Sequence, residues 1–231
     1  MTLTKQSLAK YFDHTFVKAY ATEDDLRKLC NEAKEMNTAM VAINPEWVIF
    51  CKKELAGTDI HVGAAISFPL GQTSRKSKLD ECQNAIDDGA DEIDYVLNIG
   101  RAKMHDWTYI QEEMEDMVKL CRAHSVIIKV IFENCYLEKA EIKKLAEIAT
   151  IVKPDYIKTS TGFGSGGATV EDVALMAKTV HGTVKVKAAG GIRSWETCKA
   201  MIEAGASRIG TSSSVKILKE FEEAKNATIA L

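Results

Sequence analysis

The sequence predicts an α/β protein of the (β/α)8 (TIM) barrel class, folded as a single domain over residues 1–231. Three observations carry this expectation. Short β-branched runs alternate with longer amphipathic stretches, eight such runs fit within 231 residues, and no linker rich in Pro, Gly or Ser interrupts them. A doubly wound open sheet would satisfy the same alternation, and pattern alone leaves it standing.

The runs, in order, are YFDHTF (11–16), AMVAIN (39–44), IHVGAAISF (60–68), DEIDYVLN (91–98), SVIIKVIFE (125–133), DYIKTS (155–160), TVKVKAAG (183–190) and SRIGTS (207–212). Helical patterns fill the intervals. Thr22-x-x-Asp25 and Thr169-x-x-Asp172 read as capping-box-like starts, in which a hydroxyl accepts from the amide three residues on and the acid reaches back. Ile110, Met114, Met117, Val118 and Cys121 recur at helical spacing and predict a buried stripe. Gly89 and Gly205 stand where a helix must stop before a strand, and Pro154 follows a helix ending at Val152 or Lys153. The fragments DGADEID and EAGASRIG echo one another, as a repeated αβ unit would.

The composition is that of a soluble protein: 46% hydrophobic, 27% charged, with a formal net charge of −3 and both signs interspersed. Neither nucleic acid nor an acidic membrane finds a basic landing patch, although a local site for a small anion needs only a few donors. No stretch approaches the roughly 20 apolar residues that a membrane helix requires. The six cysteines (Cys30, Cys51, Cys82, Cys121, Cys135, Cys198) stand far apart in sequence with no CxxC pair, and MTLTKQSLAK lacks the apolar run of a signal peptide. Reduced thiols in a cytoplasmic protein are therefore expected. His14, His61, His105, His124 and His181 show no metal-ligand spacing and read as structural or exposed, so no metal site is expected.

A barrel places its chemistry at the C-terminal ends of its strands. Polar residues that packing does not require gather there: Asp13 and Thr15, Asn44, Asp94 and Asn98, Glu133, Lys158 with Thr159, Ser160 and Thr161, Lys187, then Gly190, Gly191 and Arg193, and finally Ser212 and Ser213. Individually each has a plainer reading. Asp13 or Asn44 serves more often as a turn or cap residue, and a strand lysine more often snorkels to the surface, the fate expected of Lys129 and Lys185. Period-2 alternation puts Lys185 on the same face as Lys187, and spacing cannot say which of them matters.

Two lysines ending consecutive parallel strands are harder to dismiss. Neighbouring strands lie about 4.8 Å apart, so inward-facing Lys158 and Lys187 would bring two ammonium groups within a few ångströms. In a partly desolvated site each disfavours the other's protonation, and a neutral amine at physiological pH is what Schiff-base chemistry on a carbonyl needs. Lys158 is then the nucleophile, Lys187 the charge that tunes it, and an inward Asp94 the proton-transfer group, directly or through a water. A buried Lys-Asp-Lys ion network without chemistry fits the same residues. After the last two strands, AAGGIRSWET and RIGTSSSVKIL supply glycines, amides at helix N-termini and the hydroxyls of Ser212 and Ser213. Together they make an anion cradle at the place where barrels frequently hold phosphate.

The segments FDHT, AISFPLGQTS, GADEIDYVLNIG, YIKTSTGFGSGGATVEDV, KAAGGIR and RIGTSSS resemble, in this order and from Phe12 to about Leu218, the signature segments of the deoxyribose-phosphate aldolase family. The resemblance implies a class I aldolase, without metal or cofactor, that reversibly cleaves 2-deoxy-D-ribose 5-phosphate to D-glyceraldehyde 3-phosphate and acetaldehyde. It implies a Schiff base on Lys158, a second active-site lysine in Lys187, a proton-relay role for Asp94 and a supporting role for Asp13. The phosphate is expected against Gly162, Gly190, Gly191, Arg193, Gly210, Ser212 and Ser213, with Thr161 and Gly162 turning the chain toward the substrate. Family habit implies a homodimer, for which VIF at 48–50 could be a seam or merely core.

Three positions depart from the family pattern. Ala42 stands in VAINP where many members carry cysteine, and Ser214 follows GTSS where glycine is common. NATIAL ends the sequence without the tyrosine that assists proton transfer in some members, so slower or differently gated proton exchange is expected. Two other readings compete with the aldolase. An isomerase or epimerase working through an enediolate would share the phosphate cradle but need a carboxylate or histidine base. A non-catalytic phosphosugar-binding barrel would keep Gly190, Gly191 and Ser212 while losing the lysines or Asp94.

Overall fold

The structure is a computed structural model and describes residues 3–224. Strands β1 (Phe12–Thr15), β2 (Met40–Ile43), β3 (His61–Ile66), β4 (Glu92–Val96), β5 (Ile127–Ile131), β6 (Tyr156–Lys158), β7 (Lys185–Ala189) and β8 (Arg208–Thr211) run parallel and pair in chain order. β8 returns to β1, with Phe12 opposite Ile209, and closes the barrel. Closure removes the open-sheet alternative, since an open sheet would leave two edges. Each strand lies inside the run read from the sequence and is shorter at both ends, where the flanking residues turn toward the next helix.

The helices are α1 (Lys5–Ala9), α2 (Glu23–Met36), α3 (Val48–Glu54), α4 (Arg75–Asp87), α5 (Ile99–Lys103), α6 (Trp107–Ala123), α7 (Lys139–Val152), α8 (Val170–Val180), α9 (Trp195–Glu203) and α10 (Ser214–Glu223). Their ends follow the local chemistry. Thr22 and Asp25 form the reciprocal capping box at the start of α2. At α8 only half of the expected box forms: Thr169 Oγ1 accepts from the Asp172 amide at 3.1 Å, while the Asp172 carboxylate turns to Lys139, 2.5 Å away. A direct charge pair outcompetes the backbone amide for that carboxylate. Lys153 closes α7 in a left-handed conformation just before Pro154. The α6 stripe is buried as expected, each of its apolar side chains contributing about 1.5–3 kcal/mol. Glu113 shares that stripe because its carboxylate meets Lys78 Nζ at 2.9 Å, both side chains being fully buried. The VIF segment divides: Val48 is core, Ile49 is 63% exposed, and the Phe50 ring lies under Arg27. Among the described residues no helix is long and apolar enough to cross a membrane.

The strands are buried on both faces, as parallel barrel strands are, yet the barrel interior is not wholly apolar. Asp13, Glu92, Asp94, Lys129, Lys158, Lys187 and Arg208 are all buried within it. Lys129 therefore does not snorkel. Lys185, by contrast, is exposed at the start of β7.

Candidate active site

Parallel pairing sets Lys158 directly opposite Lys187, and both side chains converge on one carboxylate. Asp94 Oδ2 accepts from Lys158 Nζ at 2.8 Å and from Lys187 Nζ at 2.6 Å, while Oδ1 accepts from Lys129 Nζ at 2.7 Å. Below them lies a second tier. Asp13 pairs with Lys187 and, at 2.7 Å, with Arg208 Nε; Glu92 pairs with Lys129, with Arg208 at 3.0 Å, and with His61 Nδ1 at 2.8 Å. The plain reading of Asp13 as a turn residue gives way to that of a buried counter-ion.

Counting charges decides how this cluster ionises. Asp13, Glu92 and Asp94 supply three negative charges, and Lys129, Lys187 and Arg208 balance them, so a protonated Lys158 is the surplus cation in a largely desolvated site. Burial is the largest influence on Lys158. Asp94 opposes it, the charges of Lys187 and Lys129 add to it, and the pKa falls to about 8. Burial alone would push the Asp94 carboxyl up, but Lys129, Lys158 and Lys187 override it and hold the group well below the usual carboxylate range. The result is an ionised carboxylate beside a lysine that is readily neutral, which is the state amine addition to a carbonyl requires.

The polar segment after Lys158 holds that lysine in place. Thr159 Oγ1 donates to Ala189 O and accepts from Ala189 N, both at 3.1 Å, which ties β6 to β7 just above the two lysines. Thr161 is locked from the other side, its amide and hydroxyl donating to the Glu133 carboxylate. Burial pushes the Glu133 carboxyl up, against the opposing effect of those bonds. The glycine run after Thr161 answers to close approach: a Cβ on Gly167 would fall 2.3 Å from Gly190 O. Gly190 itself has φ +86°, open to glycine at little cost.

Above the lysines opens a cavity of about 280 Å3. Lys158, Thr161, Gly162, Gly190, Gly191, Arg193, Gly210 and Ser212 line it, so the expected lysine and most of the expected anion cradle share one space. Lys187, Asp94 and Asp13 lie beneath its floor. Gly210 gives Lys187 passage, since a Cβ there would come within 3.0 Å of Lys187 Cε. Ser213 sits beside the cavity as the residue before α10, its amide donating to Thr211 Oγ1 at 2.9 Å. The cavity also takes Phe16, the last residue of the first strand run, and Lys18, Tyr20 and Phe163 from loops whose sequence carries no periodic signal. Ala42, the first departure, is buried in β2 opposite Thr15. Ser214 does more than fill a glycine position: its Oγ lies 3.1 Å from the Nδ1 of buried His14. The tyrosine-less terminus lies outside the described residues.

The sequence profile of the DeoC/LacD family of aldolases matches residues 7–220. The chain belongs to the DeoC/LacD aldolase family. Within it, the deoxyribose-phosphate aldolase of Lactobacillus acidophilus is 57% identical over 217 residues, covering 94% of this chain and 92% of the relative. That of Thermococcus gammatolerans is 49% identical, covering 95% and 97% respectively. Among solved structures, the tetrameric deoxyribose phosphate aldolase of Aeropyrum pernix superposes with a TM-score of 0.88 at 30% identity, over 96% of this chain and 93% of the other. Among the described residues no group of three His, Cys, Asp or Glu side chains is arranged to hold a metal ion.

Proposed function

We propose that this protein cleaves 2-deoxy-D-ribose 5-phosphate reversibly to D-glyceraldehyde 3-phosphate and acetaldehyde through an imine on Lys158. The observation that carries the reading is the buried lysine with its pKa lowered to about 8 at the floor of a cavity with an anion cradle on its wall. The family's curated relatives bear the same activity in their names.

The neutral Lys158 amine adds to the C1 aldehyde, and loss of water leaves an iminium. That cation accepts the electron pair of the C2–C3 bond as the C3 hydroxyl gives up its proton, so glyceraldehyde 3-phosphate departs and an enamine remains. Protonation at C2 and addition of water return acetaldehyde and the free amine. Asp94 and Lys187 handle the protons, through a water where reach demands it, and ionised Asp94 stabilises the iminium as it forms. No step requires a cofactor or metal. The phosphate rests on the amides of Gly162, Gly190 and Gly191 and on Arg193, with Gly210, Ser212 and Ser213 completing the cradle.

An enediolate isomerase needs an untethered base. Asp13, Glu92 and Asp94 are each tied to a cation, and Glu133 is tied to Thr161. A simple binding barrel has no use for a lysine held near neutrality. Uncrosslinked thiols fit a cytoplasmic enzyme, and the family resemblance favours a homodimer, which static light scattering at working concentration would check against a tetramer. The activity itself is tested by following glyceraldehyde 3-phosphate release in the presence of a chelator. We expect full activity with chelator and a loss of at least about 10^4-fold in kcat/KM for Lys158→Leu; an active Lys158→Leu variant would overturn the proposal.

A further inference from the structure

The anion cradle described above holds one cation, Arg193, whereas a phosphate monoester is close to a dianion at neutral pH. Lys158 does not make up the difference, being engaged with Asp94 and, in the proposed reaction, with C1 at the other end of the substrate. Lys18 is the remaining cationic side chain on the cavity wall among the described residues. Its place in the barrel suits the task. Strand order puts β8 between β7 and β1, so the end of β8, with Gly210 and Ser212, has the loop after β7 on one side and the loop after β1 on the other. Arg193 lies in the first of these loops and Lys18 in the second. A phosphate seated at the end of β8 therefore has a cationic loop on each flank.

Neither cation is committed elsewhere: both are exposed, and neither forms an ion pair among the described residues. Where a carboxylate might have stood, Lys18 has a ring. Its Nζ lies 5.2 Å from the centroid of Phe163. A ring face attracts an ammonium through its quadrupole and leaves the charge available to a ligand, whereas a carboxylate would cancel it. The ring is itself held. The Phe163 amide donates to Thr161 Oγ1 at 3.0 Å, Thr161 is hydrogen-bonded to the Glu133 carboxylate, and Phe68 meets the ring edge-on with centroids 5.5 Å apart. A free surface lysine gives up side-chain entropy when it binds an anion; one already resting on a fixed ring gives up less. Lys18 is thus an unneutralised cation, partly ordered in advance, on the wall of the cavity that would hold the phosphate.

We propose that Lys18 is the second phosphate-binding cation of this site, facing the ester from the β1 side, and that Phe163 is the residue that positions it. The inference rests on the aldolase reading. It separates the two substrates of the condensation direction, because glyceraldehyde 3-phosphate carries the group that Lys18 meets and acetaldehyde does not. Condensation is therefore measured twice, varying glyceraldehyde 3-phosphate at saturating acetaldehyde and the reverse, in Lys18→Met, Lys18→Arg and Phe163→Leu. The expected KM for glyceraldehyde 3-phosphate is raised about 10-fold in Lys18→Met, about 3-fold in Phe163→Leu and less than about 2-fold in Lys18→Arg, which keeps the charge and can still stack on the ring. The KM for acetaldehyde should not follow. An unchanged KM for glyceraldehyde 3-phosphate in Lys18→Met, or an equal rise for both substrates, overturns the inference, the second because it marks a lysine that only keeps the site in shape. Lys18→Arg as impaired as Lys18→Met would likewise overturn it. An inactive wild-type enzyme would instead remove the aldolase reading beneath it.

Discussion

Lys129 and Lys158 sit on adjacent strands, both buried, both donating to Asp94, and they are driven in opposite directions. Lys129 faces Asp94, Glu92 and Asp13, which overcome the cost of burial and raise its pKa. Lys158 has only Asp94, shared with Lys187, and burial prevails, bringing it to about 8. The same residue type in the same barrel is thus a structural cation in one place and a nucleophile in the other. The number of carboxylates within reach decides between them.

The comparison can be broken at Lys129. Lys129→Met takes from Glu92 and Asp94 the cation they share, leaving Glu92 to Arg208 and His61 and Asp94 to Lys158 and Lys187, and breaking a buried ion pair in this way costs about 3–5 kcal/mol. Urea denaturation should show a loss of that size; a loss below about 1 kcal/mol would mean that the ion tier is not what holds the barrel interior together.

It is sharpened at Lys187. Lys158 must be neutral to attack, and the neutral form is lost as pH falls through its pKa, so kcat/KM should rise with pH and level off above about 8. Lys187→Met removes the opposing charge, returns Asp94 more fully to Lys158, and raises that pKa. Alongside a fall in rate, the rising limb should move up by about one unit or more. A limb that stays in place would show that burial alone sets the nucleophile.

How much of this was legible in the sequence depended on what each residue's neighbours along the chain reveal. All eight strands were legible, because β-branched runs bounded by turn residues mark them. Lys158 and Lys187 could be paired because consecutive strands in a barrel are neighbours in space. The reading of Lys129 as a snorkelling surface lysine fails, since a strand buried on both faces gives alternation no outward side to point to. Glu92 and Arg208 were missed for the same reason, although each stands two residues from a recognised site position or opposite one. Cys82 and Cys121 are 39 positions apart in sequence, yet their sulfurs lie 3.8 Å apart in the core. Lys18 and Phe163 lie on loops, and only the assembled barrel brings them to the cavity mouth.

The smallest expected effect concerns Ser214. Ser214→Gly leaves the buried His14 Nδ1 without its partner and should cost about 1–2 kcal/mol in a thermal or denaturant melt, with kcat and KM unchanged. A shift in KM would mean that the start of α10 reaches the substrate.

The central claim, that Lys158 is the residue bonded to substrate, is tested most directly by trapping the imine. The protein is incubated with 2-deoxyribose 5-phosphate, reduced with borohydride, digested and mapped by mass spectrometry. The account predicts a stable adduct on the peptide carrying Lys158, formed in the presence of chelator and absent from Lys158→Leu. An adduct on Lys187, or substrate turnover with no adduct at all, would contradict it.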